Sequence, residues 1–289
     1  MLFATIAKTR ISGDFHLLHA DLGAYRVIKG DLTAAGRFDG TLGRAEVLGR
    51  AEIPDFEVRS SHHSLRLTTE YRAFVDGTAG NVAVESAEAH FLGTTLTAHG
   101  TVNGKQGKAV SLDFNAPQAR IEDLLRIFVT ADRSPLEGLM SLHTHVVLPP
   151  APQPLIKRVQ LDGGFTISDA NFTNPITQRE ADELSLRAPG KRGDLKRGAG
   201  RTRVTEDFKA TVSLRGAIAT ITDALFAVPG AAARGAGMYD VMTEAIDLRG
   251  DLAMHASLSK AAGGFKSALL TPLDPFFKKP GAGAAFLFA

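Results

Sequence analysis

Polar and apolar residues alternate with a period of two along most of this chain. Between Ile246 and Leu258, one side carries Ile246, Leu248, Leu252, Met254, Ala256 and Leu258, with Gly250 holding the remaining place. The other side carries Asp247, Arg249, Asp251, Ala253, His255 and Ser257. Such a period places successive side chains on opposite faces of a strand and has no counterpart in an amphipathic helix. The rule recurs with Phe208, Ala210, Val212 and Leu214; with Leu65, Leu67, Tyr71, Ala73 and Val75; with Leu32, Ala34 and Phe38; and with Val110, Leu112, Phe114 and Ala116. The pattern predicts a mainly β protein built from long, one-faced antiparallel strands.

Glycine and Asp-Gly or Asn-Gly pairs punctuate residues 1–118, which therefore read as a meander of adjacent strands. Asp39-Gly40, Asp76-Gly77 and Asn103-Gly104 supply residues tolerant of positive φ at hairpin turns. Residues 119–207 break the rule and read as a connecting segment. There Ile121, Leu124, Leu125, Phe128 and Val129 follow helical spacing, with Glu122, Asp123 and Arg126 on the polar side. This predicts a short amphipathic helix that plugs or caps the apolar face of a sheet. The strand 142–148 precedes a stiff spacer containing Pro149, Pro150, Pro152 and Pro154. Strand character returns over 159–171, and a second helix is expected over 174–187. Residues 208–289 form the third segment.

Composition narrows the function classes. The net charge of +2 makes no electrostatic case for nucleic acid. Cysteine is absent, which excludes disulfides and thiol chemistry and suits any compartment. Tryptophan is absent and tyrosine is represented by 3 residues, against the aromatic girdles of an outer-membrane barrel. No stretch is apolar for long enough to span a bilayer as a helix. The apolar run at the start is too short, and its charge lies on the wrong side, for a signal peptide.

The search for chemistry finds little. His62 and His63 are adjacent and are expected on opposite sides of a strand. His143 and His145 lie two apart and share a face, but no neighbouring carboxylate or cysteine in the sequence completes a metal site, so they read as ordinary strand histidines. No nucleophile elbow, phosphate loop or metalloprotease motif is present. The expectation is a protein without catalytic residues, cofactor or metal. One basic tract stands out: Lys191, Arg192, Lys196, Arg197, Arg201 and Arg203 against Asp194 alone. It reads as a solvated loop or as a contact for anionic lipid headgroups.

The succession Phe208–Leu214, Pro229-Gly230, Gly235-Ala236-Gly237-Met238-Tyr239-Asp240, Ile246–Leu252 and Phe265–Phe277 resembles the C-terminal region of bacterial AsmA-like proteins. These are envelope proteins related to TamB-type and bridge-like lipid-transfer proteins. Upstream, Ile53-Pro54-Asp55-Phe56, Val75-Asp76-Gly77-Thr78 and Ile121–Leu125 fit the same order. The resemblance implies a long curled antiparallel sheet, groove-like and open or partly closed, with one or two short amphipathic helices. It implies a periplasmic protein tethered to the inner membrane and involved in outer-membrane biogenesis. The anchor itself is not in this chain, which reads as a fragment.

Together these readings predict a lipid-transport protein whose apolar β-groove shields phospholipid acyl chains. Candidate groove residues are Leu65, Leu67, Val75, Leu112, Phe114, Leu248, Leu252, Met254 and Leu258; candidate headgroup contacts are the six basic residues of 191–203. Expected partners are phospholipid, a membrane surface and other envelope proteins, with no nucleic acid. Two alternatives stay open: an assembly factor that pairs an open sheet edge with client strands, and a structural β-sandwich module whose apolar face is covered by a second sheet.

Overall fold

A computed structural model describes residues 6–25, 27–104, 108–176, 178–179, 206–228, 231–243 and 245–254. Its described strands are β1 (Arg10–Asp21), β2 (Ile28–Lys29), β3 (Asp31–Thr41), β4 (Arg44–Val58), β5 (Ser64–Asp76), β6 (Asn81–Phe91) and β7 (Thr94–Asn103). They continue with β8 (Ala109–Arg120), β9 (Leu136–Leu148), β10 (Gln160–Phe172), β11 (Glu206–Arg215), β12 (Ile218–Val228), β13 (Ala231–Asp240) and β14 (Ile246–Met254). All 14 belong to one antiparallel sheet whose order is the chain order, except that the short β2 pairs β4 beside β3. This is the mainly β architecture that the alternation predicts. Chain-order pairing lets short connections join β3 through β8 and β11 through β14.

Two-residue turns join several neighbours. Thr41 faces Arg44 across Leu42-Gly43, and Phe91 faces Thr94 across Leu92-Gly93, with Leu92 at φ 50. Gly216 and Ala217, at φ 57 and 71, join β11 to β12. In the Gly216-Ala217 turn, positive φ at both central residues matches the right-handed twist of the flanking strands. Asp76 organises the longer turn after β5 by accepting hydrogen bonds from the backbone N–H groups of Thr78 at 2.9 Å and Ala79 at 3.2 Å. Asp39-Gly40, expected as a turn, lies inside the ladder instead, opposite Glu46 and Ala45. Gly40 sits there at φ 140 because a Cβ would press on the Arg44 carbonyl oxygen at 2.5 Å.

The helix expected near residue 121 is present as α1 (Ile121–Phe128). Its faces differ from the sequence expectation. Phe128 is exposed, whereas Asp123 is buried with Ile121. Glu122 is held between the Arg120 guanidinium, at 2.6 Å, and the backbone N–H of Gly138, at 3.3 Å. A second helix, α2 (Leu155–Arg158), follows the proline spacer, where Arg158 donates to the Pro149 carbonyl at 2.8 and 3.0 Å. Of the helix expected over 174–187, Pro175, Ile176, Gln178 and Arg179 are helical, and residues 180–187 lie outside the described residues. His62 and His63 fall in the loop between β4 and β5, with His62 at φ 60, and so are not strand neighbours.

The described residues form two compact units. One takes in the described residues of 1–119, 142–163 and 214–217; the other takes in those of 120–141, 164–213 and 218–254. In the first, the larger buried apolar residues Ile53, Leu65 and Phe91 gather at one end of the strands with Ala116 and Ala119. In the second, Phe172, Phe208 and Phe226 pack ring to ring with centroids 4.5 to 6.2 Å apart. Ile121, Val129, Met140, Ile167 and Ala170 are buried in the same unit.

Gly100, at φ 146 in β7, lies against the carbonyl oxygen of Ser111 in β8 too closely to admit a Cβ. Gly100→Ala is expected to destabilise the fold by about 1–3 kcal/mol, through overpacking and a φ that alanine resists. A urea-unfolding midpoint unchanged from the wild type would contradict this.

Candidate functional site

The first unit separates its two sheet faces by chemistry. Antiparallel register places Phe15, Gly36, Gly49, Tyr71, Ala87, Ala98 and Phe114 in one row across seven strands. The next row on the same face is Leu17, Ala34, Ala51, Thr69, Ala89 and Leu96. Bulkier rows flank these: Ile53, Leu67 and Phe91 on one side, and Val75, Val82, Val102 and Val110 beyond Phe38, Val47 and Leu112 on the other. The middle of the face is thus a strip of Gly, Ala and Thr across β3–β7, interrupted by Tyr71 in β5 and Leu96 in β7. At about 4.8 Å per strand it extends roughly 19 Å.

Aromatic rings lie down over the glycines. A Cβ on Gly36 would meet the Phe15 ring at 2.7 Å, one on Gly13 the Phe38 ring at 3.2 Å, and one on Gly49 the Tyr71 hydroxyl at 2.5 Å. Each pair is directly opposite in register. The ring covers backbone that glycine leaves bare, which is aromatic rescue of a strand glycine. Desolvation in this position raises the Tyr71 phenol above its ordinary pKa. The rings therefore lie flat along the floor.

Most of this face is only partly buried. Phe15, Phe38, Val47, Leu67, Tyr71, Val75, Val82, Val84, Leu96, Val102, Val110, Leu112 and Phe114 all keep some exposure, and so do Leu142, Val146 and Leu148 of β9. A core sealed by an opposing layer holds its large side chains almost wholly out of water. Among the described residues every strand belongs to the one sheet, so no second sheet is present to provide such a layer.

The opposite face carries the charges. Arg72 bridges Glu46 at 2.6 Å and Glu85 at 3.3 Å, Arg50 approaches Glu70 at 3.6 Å, and Arg66 pairs with Glu52. Phe74, the aromatic exception on this face, lies under the Arg44 guanidinium, 4.0 Å from its ring centroid. These exposed pairs contribute about 0–1 kcal/mol each and mainly keep the face wet. His19 on β1 hydrogen-bonds Asp31 of β3 at 2.6 Å, which raises the imidazole pKa.

The polar face also assembles a group that sequence spacing did not reveal. His145 was paired in the sequence with His143; its structural partners come from β8. Its Nδ1 lies 2.8 Å from Asp113 Oδ1 and its Nε2 lies 3.3 Å from Ser111 Oγ. His99 Nε2 stands 3.8 Å from the second Asp113 oxygen. A carboxylate therefore does adjoin His145, contrary to the sequence reading, although no cluster of three metal-ligating side chains occurs among the described residues. The 32-residue separation of Asp113 and His145 hid this contact; only strand register could have disclosed it.

Of the nine predicted groove residues, Leu67, Val75, Leu112 and Phe114 lie on the apolar face of the first unit and are partly exposed. Leu65 is sealed in protein at 6% exposure. Leu248 belongs to the second unit, on β14, where its side chain lies over Gly237. Leu252 and Met254 face Ala233 and Ala231 in the backbone register, but their side chains lie outside the described set, as do Leu258 and the whole basic tract Lys191, Arg192, Lys196, Arg197, Arg201 and Arg203. No described helix is long and apolar enough to cross a membrane. Compared with known protein families, curated proteins and solved structures, the chain matches none.

Exposure within the apolar face sets a stability contrast. Phe91→Ala, at a position 5% exposed, is expected to cost about 3–5 kcal/mol. Phe114→Ala is expected to cost less than half as much, because the face around it is incompletely packed. Equal losses in chemical denaturation would show that both rings are equally buried.

Proposed function

We propose that the protein shields phospholipid acyl chains along the apolar face of its sheet and so carries them between membranes without catalysis. The carrying observation is a continuous apolar surface across β1 and β3–β8, most of whose large side chains remain partly exposed. Moving a two-chain phospholipid through water exposes a few dozen methylenes at about 0.8 kcal/mol each, a barrier of tens of kcal/mol. A floor of aliphatic side chains, without fixed polar partners, lowers that barrier for many lipids alike. The strip of small residues across β3–β7 favours this reading, since rings packed onto the glycines and short alanine side chains give a low apolar floor.

The setting we infer is the periplasm, with attachment to the inner membrane and a role in outer-membrane biogenesis. Support for it comes from the resemblance to AsmA-like proteins. The lipid headgroup would meet the basic residues of 191–203. The alternative of strand pairing with a client protein has less support at β1, the first strand of the sheet order. There the register is interrupted between Leu17 and Ala20, and bulges discourage edge pairing.

The test is lipid retention. The purified protein is expected to carry phospholipid that organic extraction and mass spectrometry detect. Leu67→Glu and Leu112→Glu are expected to reduce it at least about tenfold, because an unpaired carboxylate among acyl chains costs upward of 1.4 kcal/mol. Their circular dichroism is expected to stay that of the wild type, since each carboxylate can remain hydrated when the lipid leaves. Unfolding of both variants would instead indicate a closed protein core. Absence of lipid from the wild type, with no uptake from phosphatidylethanolamine vesicles, would contradict the proposal.

A further inference from the structure

On the sheet face opposite the apolar one, Ser111, Asp113 and His145 form a hydrogen-bonded chain that acyl shielding does not use. We propose that Ser111 is a nucleophilic serine, activated by His145 and Asp113, that accepts acyl groups from activated esters. Ser111 and Asp113 are two apart on β8 and so point to the same face, and β9, the next strand in the order, supplies His145. Asp113 Oδ1 lies 2.8 Å from Nδ1 of the imidazole, and Ser111 Oγ lies 3.3 Å from Nε2. With the Nδ1 proton donated to the carboxylate, the Nε2 lone pair faces the serine hydroxyl. That is the order in which a carboxylate orients a histidine that in turn deprotonates a serine, and such sets are recognised by geometry and role on unrelated folds.

The surroundings suit the assignment. All three residues stand on strands, which hold side-chain positions more firmly than loops. Asp113 and His145 retain 33% and 40% side-chain exposure, enough for a substrate to reach them. His99, beside the second Asp113 oxygen, also borders an open depression of about 530 Å³ lined by Arg50, Glu70, Arg72, Glu88 and Thr97.

The step balances without a cofactor. Ser111 Oγ forms a bond to the ester carbonyl carbon while its proton passes to His145 Nε2. The tetrahedral intermediate then breaks its bond to the leaving oxygen, which takes that proton. Water repeats the sequence on the acyl-serine, releasing a carboxylic acid and restoring the hydroxyl. The assignment is independent of lipid shielding, since it uses the other face.

A fluorophosphonate probe applied to the full chain, with peptide mass spectrometry, tests it. The expected result is one rapidly formed adduct, on Ser111. His145→Gln is expected to slow labelling about 100-fold or more. Asp113→Asn is expected to slow it at least about 10-fold. His143→Gln, on the same strand face but outside the chain of hydrogen bonds, is expected to label at the wild-type rate. Circular dichroism checks that each variant is folded. Labelling of Ser111 no faster than of other serines, or unchanged labelling in a folded His145→Gln protein, would overturn the proposal.

Discussion

Cross-strand register is the constraint on which the other features depend. In an antiparallel pair, a slip of one residue moves every side chain to the other face. Here strand after strand holds its apolar set on one side, so the register must be kept over many consecutive pairings. Where the sequence itself breaks period two, the backbone compensates. In β6 the apolar positions run Val82, Val84, then Ala87, Ala89 and Phe91, and the ladder is interrupted between Val84 and Ala87. In β12 they run Ala219, Ile221, then Ala224, Phe226 and Val228, with the irregularity between Ile221 and Ala224 and Asp223 at φ 52. In β4 the break between Ile53 and Phe56 contains Pro54, which has no N–H to give a ladder. Each bulge absorbs one extra residue and returns the apolar set to its side.

Two faces with different chemistry follow from that register. On one, small residues and flattened rings give a hydrophobic floor that protein side chains cover incompletely. On the other, guanidinium–carboxylate pairs keep the surface hydrated, and strand geometry brings Ser111, Asp113 and His145 into hydrogen-bonding distance. The function proposed for either face rests on rows that cross strands.

That explains what was legible in the sequence. Strands and the helix at residue 121 were visible because period two and period 3.6 are local signals. The apolar identity of Leu67, Val75, Leu112 and Phe114 was visible for the same reason. Turn positions were harder. Asp39-Gly40 has the composition of a hairpin turn, yet close approach to the Arg44 carbonyl fixes its glycine inside the ladder, and Leu42-Gly43 makes the turn. Burial was harder still. Leu65 and Leu67 belong to the same alternating set, but Leu65 lies at the end of the sheet where Ile53, Phe91 and Ala116 are also sealed. The Ser111–His145 contact was out of reach, because it depends on which residues of β8 and β9 stand opposite one another.

The central claim, that the apolar face receives acyl chains, is tested most directly by photocrosslinking with a phosphatidylethanolamine carrying a diazirine in its acyl chain. The account predicts adducts on Val75, Leu96, Leu112 and Phe114, and on other apolar-face residues of β3–β8, with none on Arg50, Glu70 or Glu88 across the sheet. Adducts confined to the charged face, or no adducts above those of a control protein, would contradict it.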